Sequence, residues 1–146
     1  MPNDKITPRG LHTHGKEFFA AAEAVHSSKV RAVLPLAFLW GRTIELLLKS
    51  YLLSCSVSVG DLRSRKFGHN LVALYREAHS RGIAGLIGTD PQIMGLMLML
   101  NLEYGRKRLE YRECGTIYKI PDTELARRVI RRLVKGVNHH FVQNGI

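Results

Sequence analysis

One stretch of this sequence restricts the possible folds more than any other. Residues 33–53 are apolar almost throughout, yet the stretch contains Arg42, Glu45 and Lys49. Three ionisable side chains inside a membrane span would be costly in lipid, so the stretch predicts no membrane span. A helix that is apolar around most of its circumference usually lies at the centre of a bundle. Because Glu45 and Lys49 have the i,i+4 order that favours an ion pair, both are predicted to be structural.

Four further segments have apolar residues at helical spacing. With the central stretch, the predicted helices cover about residues 14–27, 33–54, 69–82 and 91–104, and a last one from about 122 or 123. A chain of 146 residues suits one hydrophobic core. The sequence therefore predicts an all-α fold, an up-and-down bundle of four or five helices. Residues 1–12 are expected to be a flexible N-terminal lead-in, and residues 13–146 a single domain.

The segments between these helices are polar or rich in turn-forming residues. Residues 55–68 are predicted to form a polar loop, and residues 105–121 a loop or irregular segment in which Gly115 would permit a small hairpin. All methionines except the first lie within residues 91–104. A packed core is the commoner use of such residues, and a dimer interface is the main alternative.

The charge balance indicates which partners to consider. The chain has 22 Lys and Arg against 12 Asp and Glu, a formal net charge of +10. This excess favours a polyanion such as RNA, although it also keeps a protein in solution. The N-terminus lacks the apolar core of a signal peptide, and Cys55 and Cys114 have no metal-binding spacing. We therefore expect a cytoplasmic protein with reduced thiols, no metal and no cofactor.

The first of three basic clusters that are candidates for contact with nucleic acid contains Arg63, Arg65 and Lys66. Gly68 and His69 follow it directly and precede a predicted helix. A histidine at that position can cap free backbone N–H groups, so a structural role for His69 is favoured over a catalytic one.

The other two basic clusters lie in the C-terminal third of the chain. One mixes cations with aromatic rings, which suits single-stranded nucleic acid because bases stack on rings. Its members are Arg106, Lys107, Arg108 and Arg112, with Tyr104 and Tyr111. Local pairing with neighbouring glutamates explains that pattern equally well. The last cluster is the basic face of the final helix, which includes Arg128, Arg132 and His139; a solvated helix face is the favoured explanation there.

Residues 44–78 resemble the core of HEPN-type helical domains. The resemblance consists of a helix with Glu45 and Lys49, a polar loop, and the run Gly68-His69-Asn70-Leu71 at the start of the next helix. It covers about 35 of the 146 residues. It implies a helical bundle that often forms homodimers. No catalytic triad, phosphate-binding loop or zinc spacing is present in the sequence.

Many HEPN proteins are metal-independent ribonucleases, whose motif is an Arg, four to six residues, then a His. Here Arg63 and His69 match that spacing outside the expected segment, and Arg132 and His139 match it in the last helix. On a straight helix the latter pair lies about 10 Å apart along the axis, so a dimer partner would be needed. The resemblance thus favours a non-catalytic module that binds RNA or a protein. The alternative is a ribonuclease or toxin of toxin–antitoxin type that uses Arg132 and His139.

Overall fold

The computed structural model describes residues 5–146, and its regular structure is entirely helical. In chain order the helices are α1 (Pro8–Ser27), α2 (Val33–Ser54), α3 (Val59–Arg63), α4 (Leu71–Ser80), α5 (Ala84–Ile87), α6 (Pro91–Leu100) and α7 (Thr123–Gln143). A π-helical turn, Asn101–Gly105, continues α6. Five of these helices are long and two are short, and residues 5–146 contain no strand. The predicted all-α bundle is confirmed.

Helix α2 is the centre of the bundle, as its apolar composition predicts. It contacts α1, α4, α7 and the π-helical turn. Six consecutive residues from Thr43 to Leu48 are buried, and Glu45 is among them. The ion pair expected between Glu45 and Lys49 is present, with 3.0 Å between nitrogen and oxygen. No helix within residues 5–146 is long and apolar enough to cross a membrane.

The first helix begins earlier than predicted, at Pro8. The Thr7 side chain accepts a hydrogen bond from the Gly10 amide at 3.0 Å, and proline is favoured in a first helical turn. His12 is buried, and its ring contacts the Val134 carbonyl at 3.0 Å. The expected flexible lead-in is therefore wrong for residues 8–12. Residues 1–4 of that prediction lie outside the described part of the chain.

The segment predicted as a polar loop, residues 55–68, contains the short helix α3 and contributes to the core. Val57, Leu62 and Phe67 are each buried there. The segment therefore packs against the bundle through these three side chains. The sequence did not predict α3 because a helix of five residues is too short for a helical period to show in its apolar residues.

Helices α6 and α7 begin at Pro91 and Thr123, where the sequence predicts them. Asp90 and Asp122 each accept a hydrogen bond from a backbone N–H of the first turn. The apolar stripe of α7 is buried, and so is Met97 of α6. Residues 106–122 are irregular, as predicted, and form no hairpin. Instead the Tyr118 hydroxyl accepts from the Glu113 amide and donates to the Tyr111 carbonyl.

Candidate functional site

A buried carboxylate, Glu45, is the centre of the most elaborate polar cluster in the described chain. Its Oε2 accepts from Arg42 at 2.8 Å and from Lys49 at 3.0 Å. Its Oε1 contacts His69 Nδ1 and accepts from the Tyr104 hydroxyl, both at 2.7 Å. The Glu45 side chain is 1% exposed, whereas that of His69 is 43% exposed. A buried charge is tolerated only when it is paired and hydrogen-bonded, and four partners satisfy that requirement.

Tyr104 reaches Glu45 because two elements approach each other closely. The π-helical turn directs Tyr104 toward α2, where its ring packs on Gly41; a Cβ on Gly41 would collide with that ring. Gly105 follows, and a Cβ there would collide with Asn101. The Asn101 side chain in turn accepts from the Leu71 amide at 2.9 Å, which ties the turn to the start of α4. Single π-helical turns of this kind often occur at functional sites.

His69 is placed by the loop before α4. Phe67 is buried and anchors the loop, and Gly68 has a φ of 42°, which is in the left-handed region that favours glycine. Asn70, not His69, caps α4, and its side chain accepts from the Ala73 amide at 3.0 Å. The predicted capping role of His69 is therefore wrong. Since Asn70 satisfies the free backbone N–H, the imidazole turns to Glu45 instead.

The electrostatics of this cluster favour one protonation pattern. Burial alone would raise the pKa of Glu45, but hydrogen bonds from His69, Tyr104 and Lys49 and the charge of Lys49 hold that pKa below its ordinary value. Burial, together with the neighbouring Glu45 charge, raises the pKa of Tyr104 far above its usual range. Glu45 is therefore ionised and Tyr104 neutral at physiological pH. With Arg42 and Lys49, the cluster has an excess positive charge.

Two cavities open on either side of Arg42 and His69, which line both of them. The larger has a volume of about 320 Å³ and the smaller about 210 Å³. The polar and charged residues around the two cavities are Arg42, Glu45, Lys49, Arg63, His69, Tyr104, Lys107 and Glu110. Much of the remaining lining is aliphatic, including Leu11, Leu46 and Leu62. We call the two cavities together the Glu45 cleft. Four cations face two carboxylates there, so the cleft suits an anion with apolar parts.

The structure places only part of the first predicted basic cluster at this cleft. Arg63 and His69 line the same cavity. Arg65 is exposed, and the Lys66 ammonium lies 5.0 Å from the centre of the Phe67 ring. The match of Arg63 and His69 to an Arg-to-His spacing thus corresponds to a shared cavity, although the pair lies outside the segment expected from the family resemblance.

The second predicted basic cluster is divided by the structure. Arg106 and Arg112 are exposed. Arg108 lies 3.5 Å from the buried Glu103 carboxylate and 5.6 Å from the centre of the Tyr118 ring. Tyr104 is buried in the Glu45 cluster, so the expectation that it stacks on bases is wrong. Tyr111 is 80% exposed, so its ring is accessible to a stacking base.

The basic face of α7 is engaged in several contacts. Arg128 donates to Gln92 at 2.6 Å, and Arg132 lies 3.9 Å from Asp90. His139 is exposed. Within the described chain, no hydrogen bond joins Arg132 and His139 or connects either of them to the Glu45 cleft.

In comparisons with known proteins, no family model, no curated protein and no solved structure matches the chain. Among residues 5–146, no three His, Cys, Asp or Glu side chains are grouped as a metal site requires.

The sequence suggested Tyr104 only as a ring for base stacking, and neither its contact with Glu45 nor the role of Gly41 was predicted. Gly41 was the available signal, since a glycine inside a long apolar helix often marks the close approach of another group. The partner, which lies in the π-helical turn, has no signature in the sequence.

Proposed function

We propose that this chain is a HEPN-like helical domain that binds RNA, and that the Glu45 cleft holds the RNA backbone. The observation that carries the proposal is the surplus of cations over carboxylates around two adjoining cavities. Arg42 has the central position, since it lines both cavities while its guanidinium is oriented by Glu45 at 2.8 Å. A guanidinium held in this way presents its remaining N–H groups to a phosphate without further ordering.

Single-stranded RNA suits the cleft better than a duplex. The two cavities follow one another with Arg42 between them, and each has aliphatic lining beside its charges. An unpaired strand can place a phosphate at the cations and its bases against apolar walls. Arg63 and Lys107, one at each cavity, would contact neighbouring phosphates.

A salt series tests this proposal. Fluorescence anisotropy with a single-stranded RNA oligonucleotide should give an affinity that falls steeply with salt, by about 0.7 in log–log slope for each phosphate neutralised. Arg63→Gln and Lys107→Gln should each weaken binding and lower the slope by about that amount. Arg76→Gln is the matched control, because Arg76 is exposed on α4 and lines neither cavity of the cleft.

Two results of this series would remove the proposal. One is the absence of RNA binding, which would leave the protein-binding form of the module as the remaining hypothesis. The other is an equal loss of affinity in Arg76→Gln and in the two cleft variants, because binding would then follow net charge and not the cleft.

Ribonuclease or toxin action through Arg132 and His139 is the second candidate. The observation in its favour is accessibility: Arg132 has only a long contact, at 3.9 Å, with Asp90, and His139 is exposed. A homodimer would have to bring the motifs of two copies together. Expression of the wild type should then arrest growth and His139→Ala should relieve the arrest, whereas normal growth of the wild-type strain would count against it.

A further inference from the structure

We propose that an apolar groove beside the Glu45 cleft binds one unpaired guanine base of the RNA strand, and that Glu110 selects guanine over the other three bases. This inference rests on the proposed RNA binding and names the base that the site recognises. We call the groove the Phe38 groove. The residues that line it are Pro35, Phe38, Leu39, Leu109 and Glu110.

The Phe38 groove adjoins the cleft. Phe38, Leu109 and Glu110 line both the groove and the smaller cavity of the cleft. The groove has a volume of about 440 Å³, larger than either cavity of the cleft. Arg42 and Lys107 line the smaller cavity but not the groove. A strand whose phosphate is held by these two cations can therefore extend an adjacent base into the groove.

Two elements form the walls of the groove. Three of its side chains come from α2, and two come from the segment after the π-helical turn. Phe38 is half-buried, and the centre of its ring lies 5.7 Å from that of the Tyr104 ring. Unpaired bases stack on aromatic rings, and their faces pack well against apolar side chains. These walls therefore suit the flat face of a base better than a phosphate or a sugar.

The segment that carries Glu110 is fixed to the bundle by hydrogen bonds of its first turn. The Lys107 amide donates to the Tyr104 carbonyl at 2.9 Å. The Arg108 amide donates to the Glu103 carbonyl at 2.8 Å. Lys107 has a φ of 60°, in the left-handed region that residues other than glycine rarely adopt, and the two bonds hold it there. A wall positioned in this way needs less ordering when a ligand binds.

Glu110 supplies the one charged group among the residues that line the Phe38 groove. Its side chain is exposed at the edge of the groove. Within residues 5–146 its carboxylate forms no salt bridge and no side-chain hydrogen bond. Both carboxylate oxygens are therefore free to accept hydrogen bonds from a base in the groove.

An ionised carboxylate only accepts hydrogen bonds, and this property separates guanine from the other bases. The Watson–Crick edge of guanine has two adjacent donors, N1–H and the 2-amino group, which match the two oxygens of a carboxylate. Adenine and cytosine each place an amino group beside a ring nitrogen that accepts, and uracil places its one N–H between two carbonyls. Because a carboxylate that faces any of these three edges meets at least one lone pair, Glu110 favours guanine.

Fluorescence anisotropy with a single-stranded oligouridine that has one central test nucleotide measures this selectivity. The wild type should bind the guanosine oligonucleotide at least about 10-fold more tightly than those with adenosine, cytidine or uridine, since a bidentate contact to a base gives discrimination of that size. Inosine, which lacks only the 2-amino group, should give an intermediate affinity. The preference should stay constant across a salt series, because a contact to a base releases no counterions.

Glu110→Gln tests the carboxylate itself. The amide replaces one acceptor oxygen by a donor, so the ratio of guanosine to adenosine affinity should fall to about 2-fold or less. Glu113→Gln is the matched control, because it removes the same charge from the same segment while Glu113 lines neither the groove nor the cleft. Its ratio should equal that of the wild type. The two oligonucleotides have equal charge, so the ratio does not respond to the loss of a negative charge near the phosphates.

Equal affinity of the wild type for all four test nucleotides would overturn the inference and leave the proposed RNA binding in place. Inosine bound as tightly as guanosine, or a guanosine preference that survives in Glu110→Gln, would overturn it as well. An equal loss of preference in Glu113→Gln would also do so. Absence of binding to every oligonucleotide removes both the inference and the proposed function.

Discussion

Tyr104 shows how much a single hydroxyl contributes when its acceptor is a buried charge. Tyr104→Phe removes the 2.7 Å hydrogen bond to Glu45 and leaves that carboxylate, whose side chain is 1% exposed, with three partners. Loss of a hydrogen bond to a charged acceptor typically costs about 2 kcal/mol. Urea unfolding should show a loss of that size, seen as a lower midpoint with an unchanged slope.

Tyr111→Phe provides the comparison for this prediction. Tyr111 is 80% exposed, so its ring has little packing to lose. The free energy of unfolding should stay within about 0.5 kcal/mol of the wild type. Equal effects of the two substitutions would show that the hydrogen bond to Glu45 contributes nothing specific.

The partners of Glu45 also show which contacts can be predicted from the sequence and which cannot. The ion pair of Glu45 and Lys49 follows from spacing along one helix, and it is present. The bond from Glu45 to His69 joins residues separated by 24 positions, and the bond to Tyr104 joins residues separated by 59. No local pattern relates such positions, because their proximity is created by packing of separate elements. The role of His69 was therefore predicted as capping, on local grounds, when a tertiary contact determines it.

At the scale of elements, the contact between α2 and the π-helical turn depends on one glycine. In Gly41→Ala the new methyl group would collide with the Tyr104 ring. The ring must move and the hydrogen bond to Glu45 must lengthen or break, at a typical overpacking cost of about 1–3 kcal/mol. A lower thermal midpoint and a changed Tyr104 environment in near-ultraviolet circular dichroism should accompany this change.

Gly95→Ala is the matched substitution for Gly41→Ala. Gly95 lies inside α6, and no atom is within 4 Å of the place where its Cβ would be. Alanine in a helix interior is favoured over glycine by about 0.5–1 kcal/mol, so this variant should be more stable than the wild type. Destabilisation of both variants by similar amounts would contradict the proposed role of Gly41.

Helix α6 has one apolar face that is buried and another that is exposed, and the adjacent residues Met97 and Leu98 lie on different faces. Met97 is fully buried, whereas Leu98 is 50% exposed. Met97→Glu places an unpaired charge in the core and should cost several kcal/mol, about 3 or more, enough to abolish cooperative folding. Leu98→Glu should change the stability of the monomer by less than about 0.5 kcal/mol.

Light scattering on Leu98→Glu then tests the homodimer proposed from the sequence. A wild-type dimer that becomes a monomer in Leu98→Glu would assign the interface to the exposed face of α6. A wild-type monomer would remove the dimer. Met97→Glu cannot serve in this test, because the structure places that residue in the core of the single chain.

At the scale of the whole molecule, the fold could be predicted from the sequence much better than the cleft. Periodicity identifies the five long helices, and in the structure Asp90 and Asp122 cap two of them. Apolar periodicity cannot detect helices as short as α3 and α5. It also placed the start of α1 six positions late, because Thr7 and Pro8 are residues that are common in loops. The cleft needs the relative placement of α2, the loop before α4 and the π-helical turn, which only tertiary packing determines.

Acid sensitivity is a property of the whole molecule that follows from four groups. Burial lowers the pKa of His12 and His140 below the ordinary 6.5. An imidazole of this kind takes up its proton more readily in the unfolded chain, so stability falls as the pH drops below about 6.5. Hydrogen bonding from Arg127 lowers the pKa of Glu23, and the hydrogen bonds at Glu45 outweigh its burial. These carboxylates stabilise the fold above their ordinary pKa of 4.5 and lose that contribution as the pH falls through the lower folded values.

The free energy of unfolding should therefore decrease in two stages between about pH 7.5 and pH 3, a shallow one below about 6.5 and a steeper one below about 4.5. Urea titrations at each pH measure the curve. His12→Gln keeps a donor for the Val134 carbonyl but cannot be protonated, so it should flatten the upper stage and leave the lower one unchanged. Stability that stays constant from about pH 7.5 to pH 5 in the wild type would contradict the role assigned to the buried imidazoles. A lower stage that disappears in His12→Gln would show that the carboxylates do not act independently of His12.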